Sequence, residues 1–274
     1  MFYIIKDKIA PMIKNKIENY IKNIPAIPKN VKECALYLQE GDLHNAAKSA
    51  LQDPAFSHYL ITLVNKPIFG FRNEIKDISQ IFGILGVEKA AQVVNAYYAK
   101  LILPKAWKLF PITNSDFQAL QAALISNWNK ILDYEHQNKI SLASVVSLLP
   151  ASIIVCEEIF EDNLEDVKLL KLQKDLSYDE ILFKISGYKL FDIFIIICQK
   201  WELPQESIKF IEYISKKIED DSVLSKLARY IHLLMFFELS KPIYVKAGLN
   251  DFVEFDVEFV QDVYENFTKI VESL

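Results

Sequence analysis

The chain has 274 residues, 51% of them apolar and 24% charged, which is enough for one large or two small packed cores and excludes a disordered chain. Its 31 basic and 36 acidic side chains leave a net charge of −5, so no global positive field exists to hold a phosphate backbone and no nucleic-acid partner is expected. Its arginines are Arg72 and Arg229, and the remaining cations are lysines without the planar fork of an arginine-built phosphate clamp.

Cys34, Cys156 and Cys198 lie far apart among apolar neighbours, where a thiol behaves as a small hydrophobe, and this fits a reducing compartment. The apolar start MFYII meets Lys6, Asp7 and Lys8 too early for a signal peptide, so a cytoplasmic location is expected. The uncharged run from Ile140 to Cys156 carries Pro150 and several serines and falls short of the ~18 apolar residues of a membrane span. It reads as a buried core segment.

Helical spacing dominates. Phe56, Tyr59, Leu60, Leu63 and Val64 line one face of a helix, begun by Asp53 as cap and Pro54 at the first helical position. Asn65 ends it, and the side chain is expected to satisfy backbone groups at the turn before Pro67. Ile78, Ile81, Phe82 and Leu85 form the next stripe, Gly86 stops it, and a second helix continues through Val87, Ala90, Ala91, Val94, Tyr98 and Leu101. Further helices are predicted over Phe117 to Leu132, Leu142 to Phe160, Tyr178 to Gly187, Leu190 to Trp201, Glu206 to Lys217, Val223 to Leu239 and Asp256 to Leu274. The run Ile193 to Cys198 is apolar enough for a strand, but it continues to Trp201 without a turn signal, which favours a buried helix. The expected fold is all-α.

No Gly, Ser or Pro-rich linker interrupts the chain, and the trio Trp107, Phe110 and Pro111 marks a sub-boundary near residue 110. Residues 1 to 24 hold five lysines against Asp7 and Glu18, whereas residues 250 to 274 hold seven acids against Lys269. Such charge runs are expected on the solvated faces of amphipathic helices packed on the core, or else on a partner surface.

Four histidines are present, His44, His58, His136 and His232, and none pairs with another at helical i+3 or i+4 spacing. His58 falls opposite the apolar stripe of its helix, His136 sits in a polar connection, and His232 reads as a satisfied core histidine. Asp42 and His44, at i and i+2, do not face each other. The pairs Glu157-Glu158 and Asp220-Asp221 read as exposed helix charges, and no nucleophile elbow, phosphate loop or Cys-x-x-Cys pair occurs. The expectation is therefore no catalytic residue, no metal ligand and no cofactor.

From Ile24 the text IPAIPKNV, then SALQDPAFSHYLITLVNKPIFG (Ser49 to Gly70), IKDISQIFGILGVEKAAQVV (Ile75 to Val94) and GYKLFDIFIIICQKWELP (Gly187 to Pro204) follow one another in an order that resembles the HD-related output domain family, HDOD, of bacterial signalling proteins. Asp53, Pro54, Asn65, Phe69, Gly70, Gly86, Gly187, Trp201 and Pro204 are the positions that carry the resemblance. It implies a multi-helix HD-like bundle with an N-terminal helical subdomain over residues 24–215, preceded by an amphipathic helix (1–23) and followed by a helical extension (216–274). It also implies descent from metal-dependent phosphohydrolases named for a His-Asp pair. Where those would carry His-Asp, this chain reads Leu149-Pro150, and where many output domains keep a histidine it has Leu190, so the metal site looks degenerate. Tandem histidines that some members carry would fall near Glu212-Tyr213.

The function expected from the resemblance is a non-enzymatic regulatory module that meets signalling proteins through helix faces, as a separate chain, in a motility, gene-expression or other pathway. The alternatives are a sensor that binds a nucleotide or other small molecule in the degenerate pocket, through lysines and helix N-termini, and a residual metal-dependent phosphohydrolase.

Overall fold

The computed structural model describes residues 10–137 and 139–272, so the first nine residues of the expected amphipathic N-terminal helix, with Lys6, Asp7 and Lys8, lie outside the described residues. In chain order the helices are α1 (Ala10–Asn23), α2 (Lys29–Gln39), α3 (Leu43–Leu51), α4 (Pro54–Val64), α5 (Ile78–Lys100), α6 (Asn114–Tyr134), α7 (Ile140–Leu148) and α8 (Ala151–Glu161). They are followed by α9 (Leu164–Lys174), α10 (Tyr178–Ser186), α11 (Leu190–Lys200), α12 (Gln205–Ile214), α13 (Val223–Leu239), α14 (Pro242–Lys246), α15 (Val257–Val260) and α16 (Tyr264–Glu272). Single 3-10 turns form at Pro67–Phe69 and Leu249–Phe252, and no strand occurs among the described residues. The fold is all-α.

Two compact units emerge. Among the described residues, the first combines those within 1–24, 102–113 and 151–260, and the second those within 25–101, 114–150 and 261–274. Within the second unit α5 is the central helix, with α2, α3, α4, α6 and α7 packed around it. Every side chain from Ala90 to Ala99 of α5 is buried, as a helix enclosed on all sides requires. Within the first unit α11 packs on α1, α8 and α12, and α13 packs on α12 and α15. Ile13, Ile17 and Ile21 give α1 its buried stripe, and the apolar run Ile193 to Cys198 lies inside α11 as a helix, not a strand.

Local chemistry sets the element ends. Asp53 accepts hydrogen bonds from the amides of Ala55 and Phe56, and Pro54 begins α4 where its missing N–H costs nothing. Gly86 interrupts α5 with φ 72 and ψ 176, a conformation open almost only to glycine, so the helix kinks between its two halves. Gly187 ends α10 in the left-handed conformation.

Two of the expected helices need correction. The helix predicted over Leu142 to Phe160 is broken at Leu149-Pro150 into α7 and α8, because proline has no N–H to give the preceding turn. The helix predicted over Asp256 to Leu274 is split by a turn at Gln261 to Val263 into α15 and α16, and the two pieces belong to different units, where Val260 and Val263 are each buried. Helix α9 was not predicted because its leucines do not share one face: Leu169 is half exposed and Leu172 is 85% exposed.

The stretch Ser141–Glu161 has the length and composition of a membrane span, yet 94% of its most apolar window is buried inside the fold. The three cysteines are free and buried. Burial pushes the Cys34 thiol up to about 12 and the thiols of Cys156 and Cys198 well above their ordinary value, which keeps them protonated and inert.

Candidate functional site

The positions that carry the family resemblance do structural work. In the second unit the Asn65 side chain donates to the carbonyls of Ile61 and Ile75 and accepts from the Ile75 amide, which ties the end of α4 to the segment that leads into α5. Phe69 stacks on Phe71 with parallel rings 6.4 Å apart, and Gly70 closes the 3-10 turn in the left-handed region. Leu149 and Pro150 are buried. In the first unit Trp201 is buried at the end of α11, Pro204 precedes α12, and Leu190 is buried at the start of α11.

Of the histidines, His44, His58 and His136 are exposed. Among the described residues no group of three or more His, Cys, Asp or Glu side chains is placed to hold a metal ion. The carboxylate pairs differ from the expectation of exposed helix charges. Glu157 is 1% exposed and accepts the amides of Lys108, Leu109 (2.9 Å) and Phe110 (3.0 Å), so its charge is compensated by a row of backbone donors. Asp220 and Asp221 lie in the loop before α13, where Asp220 accepts from the Tyr213 hydroxyl at 2.7 Å and the Ser222 amide at 2.9 Å.

The first unit carries an open cavity of about 380 Å³. Four segments form it: the start of α10, the start of α11, the end of α12 with His232 of α13, and the strap from Phe252 to Glu258. Phe191, Ile214, Phe252, Val253, Phe255 and Val257 supply apolar walls. Asp179, Glu180, Glu254, Asp256 and Glu258 supply carboxylates against Lys189 and Lys216. At its edge Phe255 is 40% exposed and Val257 60% exposed, although both are large apolar side chains.

The strap is held from several sides. The Nε2 atom of His232 lies 2.8 Å from the Glu254 carbonyl oxygen, which can only accept, so Nε2 carries the hydrogen and Nδ1 is bare. His232 was expected to be a satisfied core histidine. It is buried, but Nδ1 has no hydrogen-bond partner, because the ring is fixed by the carbonyl on one edge and by edge-to-face packing on Phe259. Burial therefore pushes its pKa down from 6.5, helped by Lys216 and opposed by the Glu254 carbonyl and Asp256. Lys216 pairs with Asp256 and lies over the Phe259 ring at 4.5 Å, and Phe255 packs on Phe236 at 5.2 Å. The hydrogen bond from Lys216, and then the Phe259 amide, hold the Asp256 carboxyl below its usual range.

Asp179 stands where the cavity meets α11. It accepts the Leu190 amide at 2.8 Å, and burial nevertheless raises its carboxyl above the ordinary value. Leu190 is thus tied through its amide to a lining carboxylate without itself lining the cavity, whereas His232, also singled out in the sequence, does line it. Asp179, Lys216, Phe255 and Val257 were missed, since each stands in a local context of ordinary helix-end or loop residues. What the arrangement offers is apolar contact, surplus negative charge and hydrogen-bond acceptors, without an activated nucleophile.

An all-helical chain with this order of caps, kinks and turns defines a helical bundle of HD-like class, and the HDOD domain family matches residues 24–217. The chain belongs to the HDOD domain family. No curated protein matches it. Among solved structures it is similar to an HDOD domain protein of unknown function from Geobacter sulfurreducens, with TM-score 0.60 and 14% identity over 95% of this chain and 94% of that one. It is also similar to a protein from Marinobacter aquaeolei VT8 provisionally named a signal transduction protein, with TM-score 0.60 and 14% identity over 99% of this chain and 66% of that one. A third, from Shewanella amazonensis SB2B, is provisionally named a metal-dependent phosphohydrolase and matches with TM-score 0.50 and 13% identity over 86% and 94% of the two chains.

Proposed function

We propose that the protein is a non-enzymatic regulatory module of bacterial signal transduction that acts by binding another protein. The observation that carries this reading is the cavity edge of the first unit, where Phe255 and Val257 stay exposed beside a 380 Å³ recess. Apolar side chains left uncovered around a recess mark surfaces that bind a partner. Family membership and the likeness to the Marinobacter protein support a regulatory role. Against catalysis stands the chemistry of the side chains: where the resemblance would put the His-Asp pair the chain has Leu149 and Pro150, and where many output domains keep a histidine it has Leu190, and none of the three can ligate a metal.

The cavity volume also favours the sensor reading, since it lies within the ~300–1,000 Å³ typical of small-molecule sites. Affinity capture of the tagged full chain from its native cells, with mild crosslinking and an untagged control, tests the two. A reproducible signalling protein is expected, and recovery of chaperones alone would overturn the reading. Stoichiometric iron or manganese in freshly purified protein, with phosphate release from a phosphodiester, would overturn the non-enzymatic part.

A further inference from the structure

We infer that the cavity of the first unit takes a basic segment of a partner protein, with one apolar side chain of that segment seated in the recess and its lysines or arginines against the rim. This rests on the protein-recognition reading and names the chemistry of the partner.

Two independent features define the occupant. The first is shape and polarity: the recess is walled by aromatic and aliphatic groups, and two of those walls, Phe255 and Val257, stay 40% and 60% exposed, so the apolar lining is continuous with the surface. A peptide chain lying across the recess covers these partly exposed walls and reaches the carboxylates beside them at the same time. The second is charge. Five carboxylates and two lysines face the cavity. Lys216 is already occupied by Asp256, while Glu254 and Glu258, both exposed, form no ion pair among the described residues. The uncompensated field at the mouth is therefore negative, which attracts cationic segments and repels acidic ones. Nucleotides are disfavoured on the same ground, because their phosphates would meet this rim.

The test uses the full chain and fluorescence anisotropy with synthetic peptides of about 15 residues, in which a central Leu, Phe or Trp is flanked by Lys and Arg, beside matched peptides flanked by Glu. The basic peptides are expected to bind, more weakly as salt rises, and the acidic set is expected not to bind. The double variant Glu254→Lys/Glu258→Lys and the single variant Val257→Asp are each expected to weaken binding about tenfold or more, with the melting midpoint of the parent, because all three positions are exposed. Binding of neither set, equal binding of both, tighter binding of spermidine than of any peptide, or unchanged binding by both variants would overturn the proposal. A cellular partner whose crosslinks fall on another surface would overturn this site and leave the protein-recognition reading in place.

Discussion

His232 and Glu254 are joined by a hydrogen bond of 2.8 Å from the ring Nε2 to the main-chain carbonyl, and this contact fixes the strap that walls the cavity while leaving the other ring nitrogen buried without a partner. Protonation of Nδ1 would bury a charged donor with nothing to accept it. The ring is accordingly held neutral, with Lys216 disfavouring the charge and Asp256 favouring it.

A pH dependence follows. Above 6.5, the ordinary value for histidine, the ring is neutral in folded and unfolded chain alike. As pH falls below it, the unfolded chain takes the proton first, so stability present above 6.5 is lost as pH drops through the lowered folded value. His232→Gln keeps a donor for the Glu254 carbonyl and removes the titration. The variant is expected to show a smaller loss of unfolding midpoint than the parent between about pH 7.5 and 5.5. Identical losses would show that His232 does not carry the effect.

Glu157 concentrates three main-chain amides on one buried carboxylate, and this anchors the segment Lys108 to Phe110 within the first unit. Truncation strands those donors away from water. Glu157→Ala is expected to cost about 3 kcal/mol in denaturant unfolding. A cost near zero would mean that the amides find water instead.

Gly86 tests backbone geometry alone. A Cβ built there meets no atom within 4 Å, so the strain of Gly86→Ala arises entirely from φ 72 and ψ 176. The expected cost is about 2 kcal/mol, read as a shift in unfolding midpoint. An unchanged midpoint would mean that the kink relaxes into a continuous helix.

Asp53→Ala removes the acceptor for the Ala55 and Phe56 amides at the start of α4. A loss of about 1 kcal/mol is expected, and Asp53→Asn should recover most of it, since an amide oxygen still caps. Equal losses in both variants would assign the effect to charge.

These residues also show where sequence is sufficient. The Asp53-Pro54 start, the Gly86 kink and the limits of Val223–Leu239 depend on local rules, in which a cap, a positive φ and an apolar stripe act within a few residues of one another. Asn65 belongs to the same class, because its partners lie on its own helix and ten residues on. The break at Pro150 was legible too, but the apolar run on either side masked it. Glu157 was not legible. Its adjacency to Glu158 suggests a solvated helix face, and only the return of residues 108 to 110 supplies the donors that let it be buried. The cavity was the least legible feature, since Asp179, Lys216, His232 and Val257 come from separate segments that acquire meaning only when the first unit closes around them.

The most direct test of partner recognition places a photo-crosslinking amino acid at Val257 of the full chain in its native cells. One protein adduct, reproducible on irradiation and reduced by Glu254→Lys/Glu258→Lys, is the predicted result. Irradiation that yields no protein adduct at Val257, while the same probe at an exposed position such as Leu172 captures a partner, would contradict it.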